Sequence, residues 1–418
     1  MSSSFRNRAI RGAALAAFAA TCAAPVVAAD SYFQPLIEVR TEYYSNRDLE
    51  PSPSLSVYKQ DVLGYVANLS ANAGVRTQRS DTRLQPKIQF QEFPDRDDLK
   101  RINASLGLQN TYKWERSQWR LIGNFMRQDR SNRQLVDAGY DEFDPDNPVV
   151  DGSGKVALTP ETITTLQARP GFTHAINQKV EFVFDGLVQT SRRDSDDPAR
   201  DLDADTWSAQ AGFGWNLRPR TRLEAGAYYS SYKASRNLNT TDGTGLAFDL
   251  EHEWNPTLRS VFLLDVERTE VQSGVAGSVE KMNSAAASVE VIREGQVGEL
   301  HFAVGRSFSP TSYGNRSNID QVRLEMRRRL TPLVQLRTAL RGLRSTAQGD
   351  LISREDDHKY ARADLEMRWN LTRNWYVAGS YSYAWVKYKR DADDGAGHIG
   401  LVSFGYQGLA PQWAKPIR

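Results

Sequence analysis

From about residue 31 onward, apolar side chains recur at every second position in segments of roughly ten residues, and the 3.6-residue period of an amphipathic helix is hard to find. The clearest segment is 205–216. Trp207, Ala209, Ala211, Phe213 and Trp215 share one face, and Ser208, Gln210, Gly212, Gly214 and Asn216 share the other. After the turn Leu217-Arg218-Pro219-Arg220, Leu223, Ala225, Ala227 and Tyr229 alternate with Glu224, Gly226, Tyr228 and Ser230, which predicts two antiparallel strands joined tightly. The unit recurs around Asn255-Pro256-Thr257, Thr331-Pro332 and 370–374, so the chain reads as a repeated hairpin and not as distinct domains.

Connections alternate strictly between short and long. Short turns fall near 78–82, 113–117, 175–179, 216–221, 255–257, 294–298, 330–333 and 370–374. Longer Asp/Arg/Gly/Asn-rich stretches occupy 128–160, 191–203, 235–243 and 347–357. Short periplasmic turns and long external loops are the layout of a transmembrane, antiparallel, up-and-down β-barrel, and the turns predict an all-β chain of about 18 strands. Trp114, Trp119, Trp207, Trp215, Trp254, Trp369, Trp375 and Trp385 fall near strand ends, where girdles at the two lipid–water interfaces are expected. In a soluble sandwich, the competing architecture, the same rings would form core. The last strand, 399–406, is followed by a tail, so Phe404 and Tyr406 would carry internally the aromatic signal that the barrel assembly machinery reads at the end of many such chains.

Composition adds a location. Arg6, Arg8 and Arg11 precede an apolar, Ala-rich run and then Ala28-Ala29, the order of a secretory signal peptide over 1–29, with the barrel over 30–418. Without those three arginines, 50 basic side chains face 51 acidic ones, a formal charge of −1, so no basic field remains to attract nucleic acid. The only cysteine, Cys22, lies in the leader after Ala19-Ala20-Thr21, a poor lipoprotein signal; a mature chain without it excludes a disulfide framework and a thiolate site. Mean hydropathy is −0.57, and nothing beyond the leader resembles an apolar spanning helix. The expected address is the outer membrane of a Gram-negative bacterium.

If the apolar face meets lipid, the other face lines the lumen. The candidate pore lining is then Arg76, Arg83, Lys87, Arg323, Arg327, Arg337, Arg341, Arg362 and Arg368, opposed by Asp249, Glu251, Asp265, Glu267, Glu325, Asp364 and Glu366. These side chains read either as mutually paired wall residues or as a selectivity surface for a hydrophilic solute or polymer. Tyr228, Tyr232, Tyr360 and Tyr376 share that register and are candidates for stacking on sugar faces. The acidic segment 128–160 reads as an external loop, with a pore constriction or a carboxylate cation site as alternatives; its spacing is not that of an EF-hand. His174, His252, His301, His358 and His398 are scattered with neither a Ser-nucleophile motif nor metal-ligand spacing, so no enzyme, cofactor or metal site is expected.

The strand 38–46 (Glu-Val-Arg-Thr-Glu-Tyr-Tyr-Ser-Asn), the segment 305–314 (Gly-Arg-Ser-Phe-Ser-Pro-Thr-Ser-Tyr-Gly) and the closing hairpin through Trp369, Trp375, Tyr381 and Tyr383 resemble bacterial outer-membrane β-barrel proteins associated with exopolysaccharide export and exosortase gene systems. The resemblance spans most of the mature chain through degenerate barrel patterns and carries over no catalytic residue. It implies a channel exporting an extracellular polysaccharide beside a periplasmic polysaccharide-export protein. A general diffusion porin for small hydrophilic solutes is the first alternative. A non-conducting structural or adhesion barrel acting through its loops is the second.

Overall fold

The computed structural model describes residues 29–45, 61–94, 100–130, 161–195, 203–234, 240–272, 278–310, 316–348, 357–389 and 394–409. The leader, the acidic part of 131–160 and the tail beyond 409 lie outside them. The strands are β1 (Asp30–Tyr44), β2 (Val62–Arg76), β3 (Ser80–Glu92), β4 (Arg101–Lys113), β5 (Ser117–Arg130), β6 (Glu161–Ala175), β7 (Val180–Ser195), β8 (Ala204–Arg218) and β9 (Thr221–Ala234). The second half is β10 (Thr240–Asn255), β11 (Leu258–Gln272), β12 (Val279–Glu294), β13 (Gly298–Pro310), β14 (Arg316–Arg329), β15 (Val334–Gln348), β16 (His358–Asn370), β17 (Trp375–Tyr388) and β18 (Gly395–Gln407). Each pairs antiparallel with the next, and β1 pairs with β18 from Leu36↔Gln407 to Tyr44↔Ile399, so the sheet closes with no free edge.

Alternation decides which face each residue takes. Phe33, Ile37, Val39, Leu69, Phe90, Leu121, Leu166, Val188, Phe248, Leu264, Phe302, Leu340 and Val402 all point outward and are more than a third exposed, a density of bare apolar surface that only a lipid environment accommodates. Strands of 13 to 16 residues exceed the nine to eleven or so that a tilted crossing needs, so their ends project past the hydrocarbon on both sides. An even-stranded antiparallel barrel with this outer belt is the architecture of the Gram-negative outer membrane. Both chain ends of the barrel lie at the short-turn, periplasmic side.

Two prolines interrupt the ladder where their missing N–H predicts. Pairing of β2 with β3 skips between Ser70↔Lys87 and Ala73↔Leu84, around Pro86, and pairing of β6 with β7 skips beside Pro170. The tryptophans sort unevenly. Trp114, Trp119, Trp215, Trp254, Trp369 and Trp375 lie at periplasmic ends, and Trp207 and Trp385 at external ends, where Tyr43, Tyr65 and Tyr381 complete the belt. On β5 to β8 the periplasmic girdle is continuous: Trp119 meets Phe172 at 4.7 Å, and Phe172, Phe182, Phe213 and Trp215 follow at 6.0 to 6.4 Å between centroids.

The long connections are shorter than their composition suggests. Residues 128–130 belong to β5, 191–195 to β7, 240–243 to β10 and 347–348 to β15, because polar residues continue the ladder beyond the lipid. The buried clusters sit on the inner face near external strand ends. Val62 and Phe93 pack with Tyr44, and Tyr360, Ala384 and Val386 pack with Leu343. Phe93 lies directly over Gly64, where any side chain would collide with the ring.

Candidate functional site

The site is the inner wall. Its register is set by the same alternation, and the ladders place every charged candidate on the inside. Arg76 lies at the periplasmic end of β2 opposite Asp30 and Asp81. Arg83 grips Asp81 through two bonds of 2.9 and 2.8 Å, and Lys87 lies between Ser70 and Ser105.

Because consecutive strands are neighbours, stretches of sequence become sectors of wall, and the charges separate into two arcs. On β9 to β12 the inward side chains include Glu224, Asp249, Glu251, Asp265, Glu267 and Glu290, with Arg222 and Arg259 toward the periplasmic end. Arg222 bridges Glu181 and Glu224 at 2.5 and 3.0 Å, and Arg259 reaches Glu251 at 3.1 Å. Tyr228 donates its hydroxyl hydrogen to Glu267 at 3.0 Å. Asp249 and Asp265 form no ion pair among the described residues.

The second arc is basic. Arg323, Arg341 and Arg362 are successive cross-strand partners on β14, β15 and β16; the next inward level toward the periplasm is Glu325, Ala339 and Asp364, and the one after it Arg327, Arg337 and Glu366. Glu325, with a side chain only 5% exposed, accepts from Arg323, Arg327 and Arg337 at 2.8, 3.0 and 3.0 Å. Asp364 takes Arg362 at 2.6 Å. His301, hydrogen-bonded to Glu290, stands at the boundary of the arcs, and its cross-strand partner on β14 is Glu325. A recess of about 470 Å³ opens at the periplasmic foot of the basic arc, between the turn 295–297 and Arg327, Arg337, Glu366 and Arg368. The inward residues of β17 and β18 carry no charge.

The four tyrosines divide. Tyr228 and Tyr232 face the lumen half-buried, whereas Tyr360 and Tyr376 are 5% and 4% exposed and belong to the wall. Tyr376 lies flat across Gly405 of β18, where a Cβ would strike its ring, and donates to Glu38 of β1 at 2.7 Å. Arg368 covers the other ring face at 3.6 Å and donates to Gln407 at 2.8 Å. From Glu38 the chain of side-chain bonds continues through Asn68, Gln89 and Asn103 at 3.2, 3.0 and 2.9 Å, tying β17 to β4 across the closing seam. The stacking role expected of Tyr376 is therefore replaced by a clasp. No sequence signal marked it, since Tyr376 and Glu38 are 338 positions apart.

Burial also varies with height. Near the external ends, inward Val62, Val66, Gln91, Arg101, Thr165, Thr269, Ser317, His358 and Val386 are buried. In the periplasmic half, inward Arg222, Arg327 and Glu366 remain partly exposed. The accessible wall therefore faces the periplasm. Three histidines point outward, two capped by hydroxyls at the periplasmic girdle (His174 by Ser117 at 2.8 Å, His252 by Thr221 at 2.9 Å) and one at the external girdle (His398 by Tyr381 at 2.7 Å). Among the described residues, no group of three His, Cys, Asp or Glu is placed to hold a metal ion.

No family model matches the sequence, and no curated protein matches it. Among solved structures the chain is similar to the FrpB iron transporter from Neisseria meningitidis (F5-1 variant), at 9% identity and TM-score 0.46, over 90% of this chain and 82% of that one. It is also similar to the outer membrane protein opdK from Pseudomonas aeruginosa, at 13% identity and TM-score 0.43, over 90% and 99% of the two chains. Pseudomonas aeruginosa OccK2 (OpdF), solved in complex with glucuronate, matches at 10% identity and TM-score 0.44, over 91% and 99%.

Proposed function

We propose that this chain is an outer-membrane channel for small hydrophilic solutes, selecting them by charge along a divided wall. The observation that carries the reading is the separation of the inner face into an acidic arc on β9 to β12 and a basic arc on β14 to β16. Pairing neutralises each arc only in part, with Asp249 and Asp265 in no ion pair among the described residues of one and seven inward arginines against three carboxylates in the other. Fixed charges in a narrow, low-dielectric passage concentrate counter-ions, and two arcs of opposite sign orient a dipolar solute as it passes.

Passage of an extended polysaccharide is the finer alternative. It would draw on Tyr228 and Tyr232, the two candidate rings left accessible, and it would place the chain beside a periplasmic export partner and a polymer cargo. Single-channel recording of the refolded mature protein in a planar bilayer tests both. Open currents with a charge preference that shifts when either arc is neutralised support the solute channel. Currents interrupted by added oligosaccharide turn the reading to export. A silent barrel defeats both and leaves the loop-borne structural role.

A further inference from the structure

The outer face carries a feature that the lumen does not explain. Arg306 on β13, Asp320 on β14, Arg344 on β15, Lys359 on β16 and Lys387 on β17 are successive cross-strand partners, so they form one continuous row. All five point outward, near the external ends of their strands. Arg306 and Lys387 are 48% and 45% exposed, and Arg344 and Lys359 are exposed as well. Four strand spacings of about 4.8 Å give the row a span of about 19 Å.

Its charge is unbalanced. Arg306 grips Asp320 through bonds of 2.6 and 2.9 Å, and Lys387 reaches Asp394 at 2.8 Å. Lys359 has no ion-pair partner among the described residues, and Arg344, Lys359 and Lys387 stand side by side on adjacent strands. Like charges directly opposite one another in a sheet are destabilising. The rim over β10 to β12 has no such run of cations: there Glu270 lies between Asp242 and Lys281 and pairs with Lys281 at 3.1 Å, with Arg268 beside it.

Immediately toward the membrane centre, the same strands present Val304, Val322, Gly342, Ala361 and Trp385 outward, and the next row adds Phe302, Leu324, Leu340, Ala363 and Tyr383. A row of cations above an apolar strip matches a molecule with anionic groups at one end and acyl chains at the other. We propose that this row docks the phosphorylated headgroup of an outer-leaflet glycolipid, its acyl chains lying along the apolar strip, with the phosphates supplying the countercharge that Asp320 and Asp394 leave unmet among Arg306, Arg344, Lys359 and Lys387.

The test is native mass spectrometry of the refolded full chain in detergent, titrated with bis-phosphorylated diglucosamine lipid, its dephosphorylated form, or inorganic phosphate alone. The wild type should retain the phosphorylated lipid. The triple variant Arg344→Gln/Lys359→Gln/Lys387→Gln should bind it about a hundredfold more weakly, the loss expected for three surface cations at an anionic headgroup. The rim control Arg268→Gln/Lys281→Gln should bind as the wild type does. Heat-modifiable gel mobility verifies folding, and if the triple variant does not fold, Lys359→Gln alone should still weaken binding several-fold. Equal loss in the rim control, equal retention of the dephosphorylated lipid, or inorganic phosphate bound as tightly as the lipid would each overturn the proposal.

Discussion

Replacing Asp249 and Asp265 with asparagine tests whether the acidic arc acts on permeating ions. Both carboxylates face the lumen and lie beside Glu224, Glu251 and Glu267 without an ion pair of their own, so their field is not cancelled locally. A unit charge about 8 Å from an ion in water contributes about 0.5 kcal/mol, and screening at roughly 0.1 M salt reduces this to about 0.2 kcal/mol. Each charge favours cations and disfavours anions by that amount, so removing two lowers the cation-to-anion permeability ratio by about 0.9 kcal/mol, about fivefold. The assay is the reversal potential across a bilayer under a KCl gradient. At roughly 1 M salt the screening length is about 3 Å, and the shift should fall below about 1.5-fold. A variant with unchanged reversal potential at low salt, or with a shift that persists at high salt, would refute the reasoning. Arg327→Gln, which leaves Glu325 bonded to Arg323 and Arg337, should move the ratio the opposite way.

Glu325→Ala removes the carboxylate that three guanidinium groups share in the wall. Breaking a buried pair costs about 3 to 5 kcal/mol, and the partial exposure of Arg323, Arg337 and Arg327 lowers the expectation to about 2 to 3 kcal/mol, read as a reduced urea midpoint in micelles. Gly405→Ala forces Tyr376 off β18 and should destabilise the barrel by about 1 to 3 kcal/mol, whereas Tyr376→Phe, which loses only the bond to Glu38, should cost about 1 kcal/mol; equal effects would show that the close approach to Gly405 does not matter. Two residues of β14 test the two faces. Leu324→Arg, outward between Phe302 and Leu340, should cost about 2 to 4 kcal/mol of unfolding free energy in lipid, and Gln321→Arg, inward, close to nothing.

How much of this was legible in the sequence follows from the range of each interaction. A period of two assigns faces, so Arg323, Glu325 and Arg327 could be placed together, as could Trp207 and Phe213 on the opposite surface, without knowing their neighbours. Hairpin partners such as Arg327 and Arg337 follow from counting back from the short turn at 330–333, and the diagonal reach of Arg337 to Glu325 follows with them. Contacts across several strands do not. The Tyr376–Glu38 clasp exists only once β1 has met β18. Burial was hidden for the same reason. Tyr228 and Tyr376 have the same register, and each lies over a glycine of the neighbouring strand, Gly245 and Gly405; Tyr376 is in addition covered by Arg368 on its other face and bonded to Glu38 at the closing seam. Strand ends were misjudged because Arg193 and Asp242 look like loop residues, although a ladder continues through polar side chains once it has left the hydrocarbon.

The same meander explains why the wall is divided at all. In a barrel whose strands pair in sequence order, a block of about fifty to seventy residues becomes a contiguous arc, so acidic residues concentrated between Glu224 and Glu290, followed by arginines between Arg323 and Arg368, must produce two patches and not a mixed lining. The arc centres are about a quarter of the circumference apart, with β13 and its His301–Glu290 bond between them. The field is therefore strongest along that short boundary. A dipolar solute held there, above the recess at the foot of Arg337 and Glu366, would meet cations on one side and carboxylates on the other before it reaches the buried external half of the wall.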